Sequence, residues 1–239
     1  MLRHSSFHVR PFSRFSQRVA LGTAPDYDSQ EEARFSHDEV SRMLSVIIPT
    51  DGAEQPAVAT LAALVPGATA GLIREVLLVD GTRNGVIERV ADVAGCRFIA
   101  FEGPHGARLA AGAREARSPW LMFLRAGAVL DSGWIEETTQ FIQSVCSTGK
   151  SRAAVFRYAR SPLASASLNA SLYASLGNVL RLVAEQIVGP LGKQGLLIAR
   201  DHYDRLGHTP DARHSEAWLL RRLGRSSRIL LRSRIVMMA

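Results

Sequence analysis

Residues 44–50 read LSVIIPT and residues 75–80 read EVLLVD. Both are short apolar runs, the first rich in β-branched side chains and closed at its end by Pro49, the second closed by Asp80. Runs of that length read as strands buried on both faces. Between them Val58, Leu61, Ala62 and Val65 recur at helical spacing from residue 54, and Pro66-Gly67 predicts where that helix stops. The alternation continues outward. Residues 84–94 predict a short helix, 96–101 a third strand, 105–117 an alanine-rich helix, 120–124 (WLMFL) a fourth buried strand and 132–145 another helix. Strands alternating with helices in this way predict βαβ units. With right-handed crossovers these assemble into an α/β fold, a doubly wound, mostly parallel sheet with helices on both faces. Such sheets take ligands outside the carboxyl ends of their strands, near the switch point. The loops at 49–51, 80–85 and 125–131 are therefore the candidate site.

The texture changes after residue 152. Residues 153–158 predict a strand. Residues 161–188 are rich in Ala, Ser and Leu, and Leu168, Leu172, Leu176, Val179, Leu180, Val183 and Ile187 form an amphipathic stripe. That helix either covers the sheet or lies on a membrane surface or a partner. Residues 194–199 predict a short strand, 201–206 and 216–223 helices, and 228–236 a strand or tail.

The first 43 residues differ from the rest. Met1 to Gly22 carries Arg3, Arg10, Arg14 and Arg18 with no acid, and residues 26–39 are acidic and polar. The segment has no apolar core of a secretory signal; its composition fits a disordered basic-then-acidic extension or an organellar transit peptide. The organisation expected is an extension over 1–43 and a single domain over 44–239.

Composition narrows the function. No apolar run reaches the 18 or so residues a membrane-spanning helix needs. Cys96 and Cys146 stand 50 positions apart, which excludes a disulfide scaffold and CxxC zinc sites. The net charge is +7, and all but Lys150 and Lys193 of the 29 basic residues are arginine. From Arg200 to Arg234 nine arginines stand against four acids. Guanidinium forks suit phosphate, so a basic tail that meets nucleic acid or anionic lipid is one reading, without any sequence-specific nucleic-acid motif. No GxGxxG or Walker sequence follows a strand. His202, His208 and His214 fall six apart, a spacing that suits no metal-ligand pair on a helix.

Four motifs in order carry a family resemblance: LSVIIPT at 44–50, EVLLVDG at 75–81, GARLAAGAREARSPWLMFLRAG at 106–127 and PLGKQGLLIARDHYDRLGHTPD at 190–211. From Leu44 to about residue 225 the chain resembles the family 2 glycosyltransferases of GT-A fold, and among them a small bacterial branch that transfers sugars near the membrane. The resemblance implies a UDP- or GDP-sugar donor and a glycan or lipid-linked acceptor. It also implies a cytoplasmic location, with peripheral contact at the inner face of a membrane. In that family the first loop, here Pro49, Thr50 and Asp51, and an acid after the second strand, here Asp80, meet the nucleotide. Arg108 faces the pyrophosphate, Lys193 and Gln194 fall on the branch's GDQ motif, and Glu216 is the acid left for the general base.

Mg²⁺ or Mn²⁺ is the family's cofactor, held by a DxD-type carboxylate pair after the fourth strand. Here that position reads Arg125-Ala126-Gly127, the GDQ acid is Lys193, and the ED motif region reads Arg213-His214-Ser215-Glu216. No metal-ligating residue is therefore assigned. Two readings follow. Arg125 and Lys193 stand in for the metal, setting fixed positive charge where the diphosphate departs; or the site has decayed, leaving a pseudoenzyme that binds a nucleotide, a glycan or a partner.

Overall fold

Leu44–Thr50 forms strand β1, and all seven residues are buried, as expected of a strand with neighbours on both edges and helices on both faces. The computed structural model describes residues 44–159, 193–207 and 216–238. The 1–43 extension, the amphipathic stripe at 161–188, and His208 and His214 lie outside the described residues. After β1 come α1 (Glu54–Thr69), β2 (Ile73–Asp80), α2 (Val86–Ala94), β3 (Arg97–Ala100), α3 (His105–Glu115) and β4 (Trp120–Phe123). Then follow β5 (Ala128–Leu130), α4 (Trp134–Thr148), β6 (Ala153–Ala159), β7 (Leu196–Ala199), α5 (Arg200–Arg205), α6 (Glu216–Leu223) and β8 (Arg228–Met237). The strand order is β3-β2-β1-β4-β7-β6-β8-β5. The β1–β2, β1–β4, β2–β3 and β6–β8 pairs are parallel, whereas β7 runs antiparallel to β4 and β6, and β5 antiparallel to β8.

Side chains alternate between two apolar layers, the period-two signature of strands. Val46 and Ile48 of β1 pack with Leu78, Met122, Phe156, Leu197 and Ile235 under α1, α2 and α4. Ile47 packs with Leu77, Val79, Phe123, Val155 and Leu196 under α3, α5 and α6. Register joins the second set into one row across the sheet: Leu77, Ile47, Phe123, Leu196, Val155, Leu230. Trp134 and Trp120 are core residues, 1% and 4% exposed. No helix among the described residues is long and apolar enough to cross a membrane.

Two elements differ from the sequence expectation. Helix α1 runs through Pro66 to Thr69. Proline forfeits one amide bond near the helix end, and the turn closes past it through Ala70 N to Pro66 O, Gly71 N to Ala68 O and Leu72 N to Gly67 O. The segment 125–131, read as loop, contains β5, whose three residues pair with Ile235–Met237. Of the two alternatives for residues 228–236, strand or tail, the structure has the strand, running Arg228–Met237 and flanked by β6 and β5.

Strand β8 also carries an irregularity that α4 compensates. Val155 pairs with Leu230 but Arg157 pairs with Arg234, so β8 holds two extra residues there. Glu137 of α4 accepts from the amides of Arg232 and Ser233 at 2.6 Å each and from the Ser233 hydroxyl. Burial alone would raise the Glu137 carboxyl; those three donors and the Arg232 charge outweigh it and hold it below its ordinary value. Asp131 closes the same segment, its Oδ2 accepting from Arg234 N at 2.7 Å.

Candidate functional site

The carboxyl ends of β1 and β2 meet at the register pair Thr50–Asp80. Asp80 is 2% exposed. Its Oδ1 accepts from Thr50 Oγ1 at 2.8 Å and Gly52 N at 2.9 Å. Its Oδ2 accepts from Thr82 N at 3.1 Å and Thr82 Oγ1 at 2.6 Å. A carboxylate has about four lone-pair positions, and these four donors take them. Asp80 thus ties the loop after β1 to the loop after β2.

Helix α3 brings a cation to the same edge, and two missing Cβ atoms let it do so. A Cβ on Gly112 would stand 2.5 Å from Ile47 Cγ2 and 3.0 Å from Val79 Cγ2, so α3 seats directly on β1 and β2. Arg108, four residues earlier, lies one turn up on the same helix face. A Cβ on Gly81 would stand 1.9 Å from Arg108 Nη1, so the guanidinium occupies the space a side chain there would fill. Arg108 is 6% exposed, Nη2 pairs with Asp51 Oδ1 at 2.5 Å, and Nε has no hydrogen-bond partner among the described residues. The Asp51 side chain is 75% exposed, so the pair is buried on one side only. The far end of α3 is fixed by Arg200, which donates to the carbonyls of Ala113 (3.0 Å), Ala116 and Ser118 (3.1 Å). A guanidinium on the last carbonyls also suits the helix dipole.

The loop after β4 is anchored through its backbone. Gly127 N donates to Pro56 O at 2.8 Å and Thr60 Oγ1 at 2.9 Å, and Met238 N donates to Gly127 O at 2.8 Å. A cleft of about 420 Å³ opens beside it, lined by Glu54, Gln55, Pro56, Val58, Ala59 and Met238. Arg125 follows Phe123 by two residues, and Phe123 is opposite Leu196, so Arg125 and Gln194 continue the β4–β7 register. Gln194 is buried and its carbonyl accepts from Phe156 N at 3.1 Å; Lys193 beside it is exposed.

Of the residues assigned from sequence, Thr50, Asp51, Asp80 and Arg108 are linked directly or through one neighbour. Pro49 is buried in β1 opposite Val79. Arg125, Lys193 and Gln194 lie on the neighbouring strands at the same sheet edge. Glu216 opens α6, whose other end leads into β8 at the opposite edge. Sequence reasoning missed Gly52 and Thr82, the partners of Asp80, and it missed Arg157 and Arg234. Trp218, considered as a stacking platform, has the Arg222 guanidinium over its ring at 5.6 Å. His202 is buried in α5, and burial together with the Arg205 charge lowers its pKa, against a hydrogen bond that its imidazole donates to the Arg152 backbone.

The described residues do not fit the divalent metal of the resembled family. The 125–127 loop offers no carboxylate, Asp51 is paired with Arg108, and Asp80 and Asp131 accept from their own chain. Among the described residues no three of His, Cys, Asp and Glu come together as a metal site.

The strand order and the antiparallel β7 are those of a GT-A fold. The sequence matches no protein-family model and no curated protein. Solved structures do share the fold. Glucosyl-3-phosphoglycerate synthase from Mycobacterium tuberculosis, solved with Mn²⁺, UDP and glucosyl-3-phosphoglycerate, superposes with a TM-score of 0.57 at 14% identity, over 92% of this chain and 78% of that one. A mycobacterial protein gives 0.55 at 17% identity, over 90% and 72%. The TarS 1–349 fragment from S. aureus gives 0.55 at 14%, over 82% and 60%.

Proposed function

We propose that this chain binds a UDP- or GDP-sugar along the carboxyl ends of β1, β2 and β4 and transfers the sugar to a glycan or lipid-linked acceptor, with guanidinium groups in place of a divalent metal. The observation that carries this reading is Arg108, a buried guanidinium with an unpartnered Nε–H, held between Gly81 and Asp51 at the ligand edge. A buried donor without an acceptor costs free energy until a ligand supplies one. The fold shared with a UDP-binding synthase supports a nucleoside diphosphate as that ligand.

In the proposed reaction the acceptor hydroxyl oxygen attacks the sugar's anomeric carbon while the bond from that carbon to the β-phosphate oxygen breaks. The electron pair leaves with the nucleoside diphosphate, the acceptor proton passes to Glu216, and the configuration inverts. Arg108, Arg125 and Lys193 meet the charge that develops on the leaving diphosphate. Pro49, Thr50 and Gln194, all buried, support the donor edge from within the sheet. Asp80 does not contact the nucleotide in this scheme; it fixes the two loops that do. The same reading places the chain in the cytoplasm, in peripheral contact with the inner membrane face when the acceptor is lipid-linked.

A second reading, nucleotide or glycan binding without turnover, is favoured by one observation: Asp51, Asp80 and Asp131 are each engaged within the chain. Thermal shift with UDP- and GDP-sugars, with Mn²⁺ or with EDTA, followed by assay of nucleoside diphosphate release, separates the readings. Stabilisation in EDTA with release supports transfer. Stabilisation without release leaves the binding module. A shift that requires Mn²⁺ removes the metal-free scheme, and no shift with any nucleotide removes both.

A further inference from the structure

One row of the sheet carries two arginines that the donor site does not use. Arg157 of β6 and Arg234 of β8 are directly opposite in a parallel pair, and both are exposed. Paired positions on neighbouring strands point to the same face, with the strands about 4.8 Å apart. That face is the α3–α5–α6 side, because Arg157 follows by two residues the buried Val155, which packs with Phe123, Leu196 and Leu219. Strands β6 and β8 run parallel to each other, and β7 is antiparallel to both β6 and β4. Their carboxyl ends therefore share the edge at which β1, β2 and β4 end, and the pair stands along the sheet from Arg125.

Like charges directly opposite on a sheet face are destabilising. Neither guanidinium has an ion-pair partner among the described residues. Two carboxylates that reach β8 are already engaged with its backbone, Asp131 with the Arg234 amide and Glu137 with the Arg232 and Ser233 amides. Such a pair is stabilised by an anion that accepts from both forks at once. A phosphate monoester suits this best, because its three terminal oxygens and near-dianionic charge match two guanidinium groups, whereas a carboxylate fills one fork.

We propose that Arg157 and Arg234 form the acceptor subsite and bind a phosphate monoester on the acceptor, so that the sugar is transferred to a phosphorylated molecule arriving beside the donor. This rests on the transfer reading above and adds the acceptor's chemical class. The test titrates the whole chain with inorganic phosphate and, separately, with UDP, using calorimetry at low salt. The proteins are the native chain, Arg157→Gln, Arg234→Gln, the double variant and Arg157→Lys. The expected result is phosphate binding that weakens at least about tenfold in either Gln variant, the scale of one charge-assisted contact. Arg157→Lys should restore part of it, and UDP affinity should stay unchanged throughout. Without phosphate, either Gln variant should melt at a higher temperature than the native chain, because the like-charge contact is gone.

Phosphate affinity unchanged in the double variant, with UDP bound normally, overturns the subsite and leaves the donor reading standing. UDP failing to bind the native chain, with phosphate binding lost in the Gln variants, overturns the donor reading and leaves the oxyanion pair. Vesicles containing phosphatidylglycerol form a third arm. Binding to them that the double variant loses, with no binding of inorganic phosphate, overturns the soluble phosphomonoester and assigns the pair to a membrane surface.

Discussion

Asp80→Asn isolates what the carboxylate at the end of β2 does. Its two oxygens accept from four donors, two on each oxygen. Asparagine turns one oxygen into an NH₂ group; the threonine hydroxyl on that side can rotate to accept from it, but the backbone amide there, Gly52 N or Thr82 N, is left facing a donor. Leaving a buried donor unmatched costs about 1–3 kcal/mol. Gly52 and Thr82 are half-buried, so the orphaned amide gains some water and the loss falls at roughly 1–2 kcal/mol. For a domain of this size each kcal/mol lowers Tm by about 2–4 °C. Urea denaturation followed by far-UV circular dichroism, without any ligand present, measures the loss directly. A variant within about 0.5 kcal/mol of the native chain, the ordinary scatter of surface substitutions, refutes the assignment of Asp80 to loop architecture. It would return Asp80 to the direct nucleotide contact suggested by sequence.

Gly81→Ala moves the Arg108 guanidinium without changing any charge, since a Cβ there would stand 1.9 Å from Nη1. UDP affinity should fall about 10- to 150-fold, the equivalent of a charged hydrogen bond at about 1.5–3 kcal/mol, while stability shifts by under about 1 kcal/mol because Asp51 is exposed; calorimetry and urea melts read the two. Gly112→Ala should cost about 1–3 kcal/mol by overpacking against Ile47 and Val79 and should weaken UDP binding too, because it lifts the helix that carries Arg108. Glu137→Gln tests the β8 irregularity through pH. The Glu137 carboxyl is held below its ordinary 4.5, so its stabilisation is complete above that value and is lost as pH falls through the depressed one. The native chain should therefore lose stability below pH 4.5 more steeply than the variant, and parallel acid limbs in the two denaturation series would contradict the assignment.

The first half of the sheet was legible because its signals are local. LSVIIPT, EVLLVD and WLMFL each announce a buried strand without reference to any other segment, and the alternation with helices gives their parallel order. The second half depends on partners far along the chain. Three residues, Ala128–Leu130, have no pattern of their own and become a strand only because Ile235–Met237 lies beside them. Pro66 reads as a stop in any window, yet the turn after it closes through the backbone of Gly67 and Ala68. The site divides in the same way. Thr50, Asp51 and Asp80 stand at strand ends visible in sequence. That Thr82 and Gly52 use up Asp80, and that Arg157 and Arg234 stand side by side, follows from register alone.

The acids and bases at the ligand edge are not equivalent, and this gives the net charge its meaning. Asp51, Asp80, Asp131 and Glu137 each spend oxygen atoms on their own chain, on Arg108, on Thr50, Gly52 and Thr82, and on the amides of β8. Arg157, Lys193 and Arg234 have no such carboxylate from this set. The field outside the edge is therefore more positive than a count of residues suggests. A divalent cation approaching the 125–127 loop meets repulsion over about 8 Å at physiological salt, and a phosphate meets attraction over the same range. The proposed metal-independent donor binding and the proposed phosphorylated acceptor thus rest on one arrangement of charge. Both affinities should weaken together as ionic strength rises, and a donor affinity indifferent to salt would separate them.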